Sequence, residues 1–116
     1  LPFHKGEIIF AEFEIPNTGQ WVKHPGVIIS CNEVYNHDKC YICAMMTSNN
    51  QNDRFSFHLN NAMLDKPGNT LHSQVRVHLI TYILEKHIYQ SDPSNKLKDQ
   101  AFERLIAHIN DAVFDV

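Results

Sequence analysis

This 116-residue chain predicts a mainly β fold, a small barrel of five to seven strands with one C-terminal helix. Three observations carry that reading. Short runs of alternating or continuously apolar residues recur between residues 7 and 80, most of them bounded by Pro, Gly, Asn or Asp. The stretch Ser73-Gln74-Val75-Arg76-Val77-His78-Leu79-Ile80 alternates cleanly, as a strand with one face in a core does. Only the final segment carries an apolar stripe at helical spacing. Strands followed by a single helix make a small barrel whose open side that helix covers. The length fits one domain, residues 1–116, with one core.

Taken in order, residues 7–15 (EIIFAEFEI) read as the first strand, with Ile9, Ala11, Phe13 and Ile15 on one face. Pro16-Asn17-Thr18-Gly19 is turn chemistry, and the loop continues to His24-Pro25. Residues 26–31 (GVIISC) and 40–47 (CYICAMMT) read as buried strands separated by a polar loop over 32–39. After the polar cluster 48–53, residues 54–59 (RFSFHL) alternate again, aligning Phe55, Phe57 and Leu59. Lys66-Pro67-Gly68-Asn69 is a turn signal, and residues 82–89 fit either a short strand or a helical turn. Asp92-Pro93 supplies a cap residue and a first-turn proline for the helix. Its stripe is Leu97, Ala101, Phe102, Leu105, Ile106, Ile109 and Val113.

Composition narrows the function classes. With 43% hydrophobic and 20% charged residues the chain is globular, and no apolar run approaches the ~20 residues of a membrane span. Residues 1–5 show no basic segment leading into an apolar one, so no retained signal peptide is expected. Cys31, Cys40 and Cys43 are too few for a disulfide scaffold and read as small buried residues of a cytoplasmic protein. Cys40 and Cys43 have zinc-pair spacing, but on a strand they face opposite sides and no second pair exists. A net charge of −3 argues against electrostatic coating of nucleic acid while leaving room for a local basic cleft.

The chemistry-bearing residues concentrate in the alternating strand. Val75, Val77 and Leu79 point to the core, and Gln74, Arg76 and His78 share the other face. An Arg and a His two apart lie about 7 Å apart along the backbone, close enough to address one phosphodiester. Arg offers a fixed charge, and His a proton donor or acceptor near neutral pH. The alternative is that both decorate a solvated sheet face. No glycine-rich phosphate loop, nucleophile elbow or helical His-x3-His pair occurs, and His72 with His78 lacks a third ligand. Neither a metal nor an organic cofactor is expected.

In their order these features resemble the MazF/PemK-like toxins of bacterial toxin–antitoxin systems. The matching residues are Gly6-Glu7-Ile8, Pro16 to Gly19, His24-Pro25 before Gly26-Val27-Ile28-Ile29-Ser30, Thr47-Ser48, and Ser73-x-Val75-Arg76-Val77-His78. The likeness spans residues 6 to about 112 and implies an SH3-like barrel, usually a homodimer. It implies a metal-independent endoribonuclease that cuts single-stranded RNA and is held by a cognate antitoxin peptide. The family's Arg-Pro is here His24-Pro25, its Gly-His is Gly19-Gln20, and the acidic residue two beyond Arg76 is His78.

Read through that resemblance, Arg76, His78, His24 and Thr47 are the expected catalytic group. One imidazole would take the 2′-hydroxyl proton, the other would protonate the leaving 5′-oxygen, and Arg76 and Thr47 would stabilise phosphate charge. Gln20, Trp21, Lys23, Ser48 and Ser73 are the expected substrate-binding residues, with Trp21 stacking on a base or packing over the barrel mouth. Two competing readings use the same cleft: a non-catalytic SH3-like module that binds a peptide, and a toxin directed at a protein such as gyrase.

Overall fold

The computed structural model describes residues 3–68 and 74–116. Strand β1 (Glu7–Glu14) turns through Asn17 and Gly19, both at positive φ, into β2 (Trp21–Ile28). This hairpin is longer than expected on its second arm: Trp21 to Pro25, expected as loop, pair with Glu14 to Phe10. The exposed first half of β2 lacks an apolar run because it is ladder without a core face. Gly26 is required where the two strands stack, since a Cβ there would lie 2.5 Å from the Phe13 ring. Strand β3 (Cys40–Thr47) has the expected bounds, β4 is confined to Ser56–His58, and β5 runs from Gln74 to Leu84. Ser73 and His72 lie outside the described residues.

The sheet is antiparallel, in the order β4-β5-β3-β2-β1-β6, where β6 is the two-residue strand Asn95–Lys96. The fold class is the expected one, mainly β with six strands and a C-terminal helix. No ladder joins β4 to β6 among the described residues, so the sheet stays open between these two strands. Residues 63–65 partly span the gap. Asp65 N–H donates to the Lys96 carbonyl at 2.9 Å, and Lys98 N–H to the Met63 carbonyl at 2.8 Å.

Two expectations about helices are corrected. The polar stretch after Cys31 is helix α1 (Asn32–Asp38), ended by Lys39 in the left-handed conformation. It has no apolar stripe to betray it; Tyr35 anchors it, stacking on Tyr41 at 5.1 Å and donating its hydroxyl to Glu85 at 2.7 Å. Asp92-Pro93 does not start the C-terminal helix. Helix α2 (Asp99–Ile109) begins six residues beyond Pro93, because the intervening chain satisfies the open edge of β1: Ser94 N–H donates to the Ile8 carbonyl, and Asn95 pairs with Ile8. The predicted stripe is right nonetheless. Leu97, Ala101, Leu105 and Ile109 are buried in one core, with Phe102, Ile106 and Val113 packed beside them. Cys40 and Cys43 are buried as expected, whereas Cys31, at the N-cap of α1, is exposed.

The sheet buries both faces. One core lies under α2 and takes Val27, Ala44, Met46, Val75 and Val77. The other takes Ile9, Ala11, Phe13, Ile28, Tyr41, Cys43 and Met45. Strand β5 changes sides midway: pairing jumps from Met46↔Val75 to Ala44↔Ile80, so Leu79 packs on the second core and not with Val75 and Val77. Nor is the opposite face of its first half solvated. Gln74 is fully buried and Arg76 only 5% exposed.

Candidate active site

Strand parity brings the expected residues to one face. Residues opposite each other in an antiparallel pair point the same way, so Thr47 shares its side with Gln74, and Gln74 with Arg76 two residues on. His24 pairs with Ala11, whose side chain lies in the second core, so His24 is on that face too. Lys23 falls on the other face, its ammonium 4.7 Å above the Tyr89 ring and 5.6 Å from that of Phe10. His24 and Thr47 each lie two residues beyond Gly26↔Met45, the last pair of the β2–β3 ladder. The His24 Nδ1–H donates to the Met46 carbonyl at 3.2 Å, which leaves Nε2 as the working nitrogen. The Thr47 Oγ accepts from the Asn49 N–H at 3.3 Å, leaving its proton available.

Arg76 is not an open guanidinium beside His78. Its Nη1 and Nη2 grip both oxygens of Asp53 at 3.0 and 3.1 Å, and Nη1 also reaches Ser56 Oγ at 2.9 Å and Gln74 Oε1 at 3.1 Å. The guanidinium in turn holds the Asp53 carboxyl down at about 2. Gln74 donates both protons of its amide to the carbonyls of Asn49 and Gln51, each at 2.8 Å. Sequence reading missed Asp53, Ser56 and the buried role of Gln74. Their one signal is the run of turn-forming polar residues between two strands, which marks a loop but not what clamps it.

His78 faces a groove of about 250 Å³ lined also by Phe13, Glu14, Trp21 and Met45. Its ring stacks on Phe55 at 4.3 Å, and its Nδ1 is buried without a partner. Burial, then the nearby Arg76 charge, lower its pKa from the ordinary value, against a smaller opposing effect of Asp53. Trp21 is 61% exposed and, with Thr81, also lines a second groove of about 480 Å³ that runs past Glu12, Tyr82 and His87. Strand β3 lies between β2 and β5, and His78 lies four residues along β5 from Gln74, the partner of Thr47, so the backbones of His24 and His78 stand more than two strand spacings, about 10 Å, apart. Gln20 and Ser48 are exposed at the two loops that flank this face. Among the described residues, no three His, Cys, Asp or Glu side chains are grouped to hold a metal ion.

The chain matches the family model for PemK-like, MazF-like toxins of type II toxin–antitoxin systems over residues 4–113. No curated protein matches it. Its fold is similar to MazE–MazF from Deinococcus radiodurans, with a TM-score of 0.72 at 8% identity over 100% of both chains. It is similar as well to an endoribonuclease from a mycobacterial species solved in complex with its cognate antitoxin. There the TM-score is 0.71 at 12% identity, covering 97% of this chain and 95% of that one. A mycobacterial endoribonuclease gives 0.71 at 11% identity, over 98% and 93%. Those identities speak for the fold, while the family model covers nearly every residue that builds the face described above; the chain belongs to the PemK-like, MazF-like toxins of type II toxin–antitoxin systems.

Proposed function

We propose that this chain is the endoribonuclease of a toxin–antitoxin pair and cuts single-stranded RNA by 2′-hydroxyl transesterification, without a metal. The observation that most supports this is His78, an imidazole kept in its neutral form at the edge of a groove it shares with the exposed Trp21. A neutral imidazole can take the 2′-hydroxyl proton as that oxygen bonds to phosphorus. The P–O5′ bond breaks, and the departing oxygen takes a proton from the Nε2 of cationic His24, whose Nδ1–H is already fixed on Met46. Thr47 donates its hydroxyl proton to a phosphate oxygen. Trp21 stacks on a neighbouring base, worth about 1–3 kcal/mol. Gln20, Ser48 and Ser73 complete the candidate contacts with RNA, whereas Lys23 lies on the other face of the sheet.

Antitoxin complexes among the similar structures support a cognate antitoxin peptide as the second partner. The proposed setting is the bacterial cytoplasm. Incubating the protein with a long RNA in EDTA tests the chemistry. Discrete fragments ending in 2′,3′-cyclic phosphate and 5′-hydroxyl are expected, and His78→Ala should lose most of the rate. One observation favours the non-catalytic reading, in which the cleft only binds: Arg76 is committed to Asp53. Intact RNA under all conditions would put that reading ahead.

A further inference from the structure

Thr47 and Ser48 are followed by an exposed run of amides, Asn49-Asn50-Gln51-Asn52, that leads to Asp53. Its backbone is not left to wander. Gln74, fully buried, pins the carbonyls of Asn49 and Gln51 with one NH2 group, and Ser56 Oγ donates to the Gln51 carbonyl at 3.2 Å. Arg76 grips Asp53 at the far end and holds Gln74 by its Oε1. The loop therefore hangs from a buried polar network whose members satisfy one another. Asn52 is tied to His58 at 3.1 Å, while the side chains of Asn49 and Asn50 have no partner among the described residues. The Asn49 N–H donates to Thr47 Oγ, which ties the start of the loop to that hydroxyl.

From this arrangement we propose that Asn49 and Asn50 read an unpaired RNA base beside Thr47, and that Gln74 and Arg76 are positioning residues that set the loop for that task without touching RNA. The inference rests on the endoribonuclease reading above. A carboxamide presents a donor and an acceptor side by side, which matches the paired acceptor and amino group on the open edge of adenine or cytosine. Unpaired RNA bases are read in this way on their open edges. Two amides whose backbone is fixed pay little ordering entropy on binding. The Asp53 carboxyl, held at about 2, keeps the grip on Arg76 intact at any pH where RNA cleavage is assayed.

The test is base preference in a mixed RNA pool, read by sequencing 5′-hydroxyl ends and by kcat and KM on the best and second-best sites. Wild type should favour adenine or cytosine over guanine and uracil at one position next to the cut. Asn49→Ala or Asn50→Ala should lower that discrimination roughly tenfold, with the loss in KM more than in kcat. Gln74→Glu keeps an acceptor for Arg76 but replaces both donors with a charge that repels the two carbonyls; the same flattening is expected. A protein that is merely less folded cuts every site less and leaves the ratio of sites unmoved. Should Gln74→Glu not fold, Asp53→Asn, at an exposed position, releases the same clasp. Variants that all keep the wild-type ratio overturn the inference while leaving the endoribonuclease reading intact. A wild-type protein that cuts no RNA overturns both.

Discussion

His78 is neutral for reasons that its own position supplies. Its ring lies between Phe55 and the groove, its Nδ1 has no acceptor, and the Arg76 charge stands nearby. A folded-state pKa below the ordinary His value means that the fold favours the neutral form. The stability linked to this group is therefore complete above about 6.5 and is lost as pH falls through the lowered value. In catalysis the same depression keeps the base competent into mildly acid solution. The rate should fall on the acid side as His78 gains its proton. His78→Ala should flatten the acid limb as well as lowering the rate. An unchanged profile would remove His78 from the mechanism. Gly26 makes a simpler prediction: Gly26→Ala drives a methyl to 2.5 Å from the Phe13 ring and 3.3 Å from the Ala44 carbonyl. Overpacking of this kind costs about 1–3 kcal/mol, read as a lower denaturant midpoint with an unchanged slope. Of the candidate residues, Arg76 and His78 stand out from strand alternation alone, whereas His24 and Thr47 enter only through the resemblance to the toxin family. Asp53 could not be singled out, because its partner Arg76 lies 23 residues on and only the folded ladder brings them together.

At the scale of elements, the strands were legible wherever alternation reflected a core on one side. The bounds of β3 follow from its continuous apolar run, and Phe55, Phe57 and Leu59 pack on the core under α2 as their spacing implies. The misread pieces are those stabilised from outside. The first half of β2 is held by β1, α1 by the Tyr35 stack, and residues 94–96 by the open edge of β1. The switch of sides within β5 was equally hidden, since an irregular register leaves the sequence alternation undisturbed. The clasp between β5 and the loop before β4 has its own pH signature. With Asp53 lowered from 3.8 to about 2, its contribution is complete above pH 4 and vanishes as pH falls toward 2. The melting temperature should drop over that interval, and Asp53→Asn should flatten the drop while lowering the melting temperature at neutral pH. Equal acid sensitivity in the two proteins would show that the ion pair adds nothing.

For the whole molecule, the two cores leave conspicuous apolar surface uncovered. Trp21, Tyr82, Tyr89 and Phe114 are 52–67% exposed, and Trp21 and Tyr82 line one continuous groove. Aromatic side chains at this exposure mark surfaces made for a partner more often than a resting surface. A second copy of the chain is the partner expected first, through a two-fold interface in which each subunit presents the same patch to the other. Light scattering at tens of micromolar should give twice the 13.4 kDa of one chain. Tyr82 is the sharper probe because it and its neighbours Thr81 and Ile83 pair with β3 through the backbone, so replacing its exposed ring leaves the ladder untouched. Tyr82→Glu puts a carboxylate into a patch that must desolvate in both subunits at once, and it should return the protein to 13.4 kDa without lowering its monomer fold. The far-ultraviolet circular dichroism should be unchanged in the same sample. A wild-type protein that scatters as a 13.4 kDa species would leave this surface to a different partner, and the exposed groove beside Trp21 would then be the place to look for the antitoxin peptide.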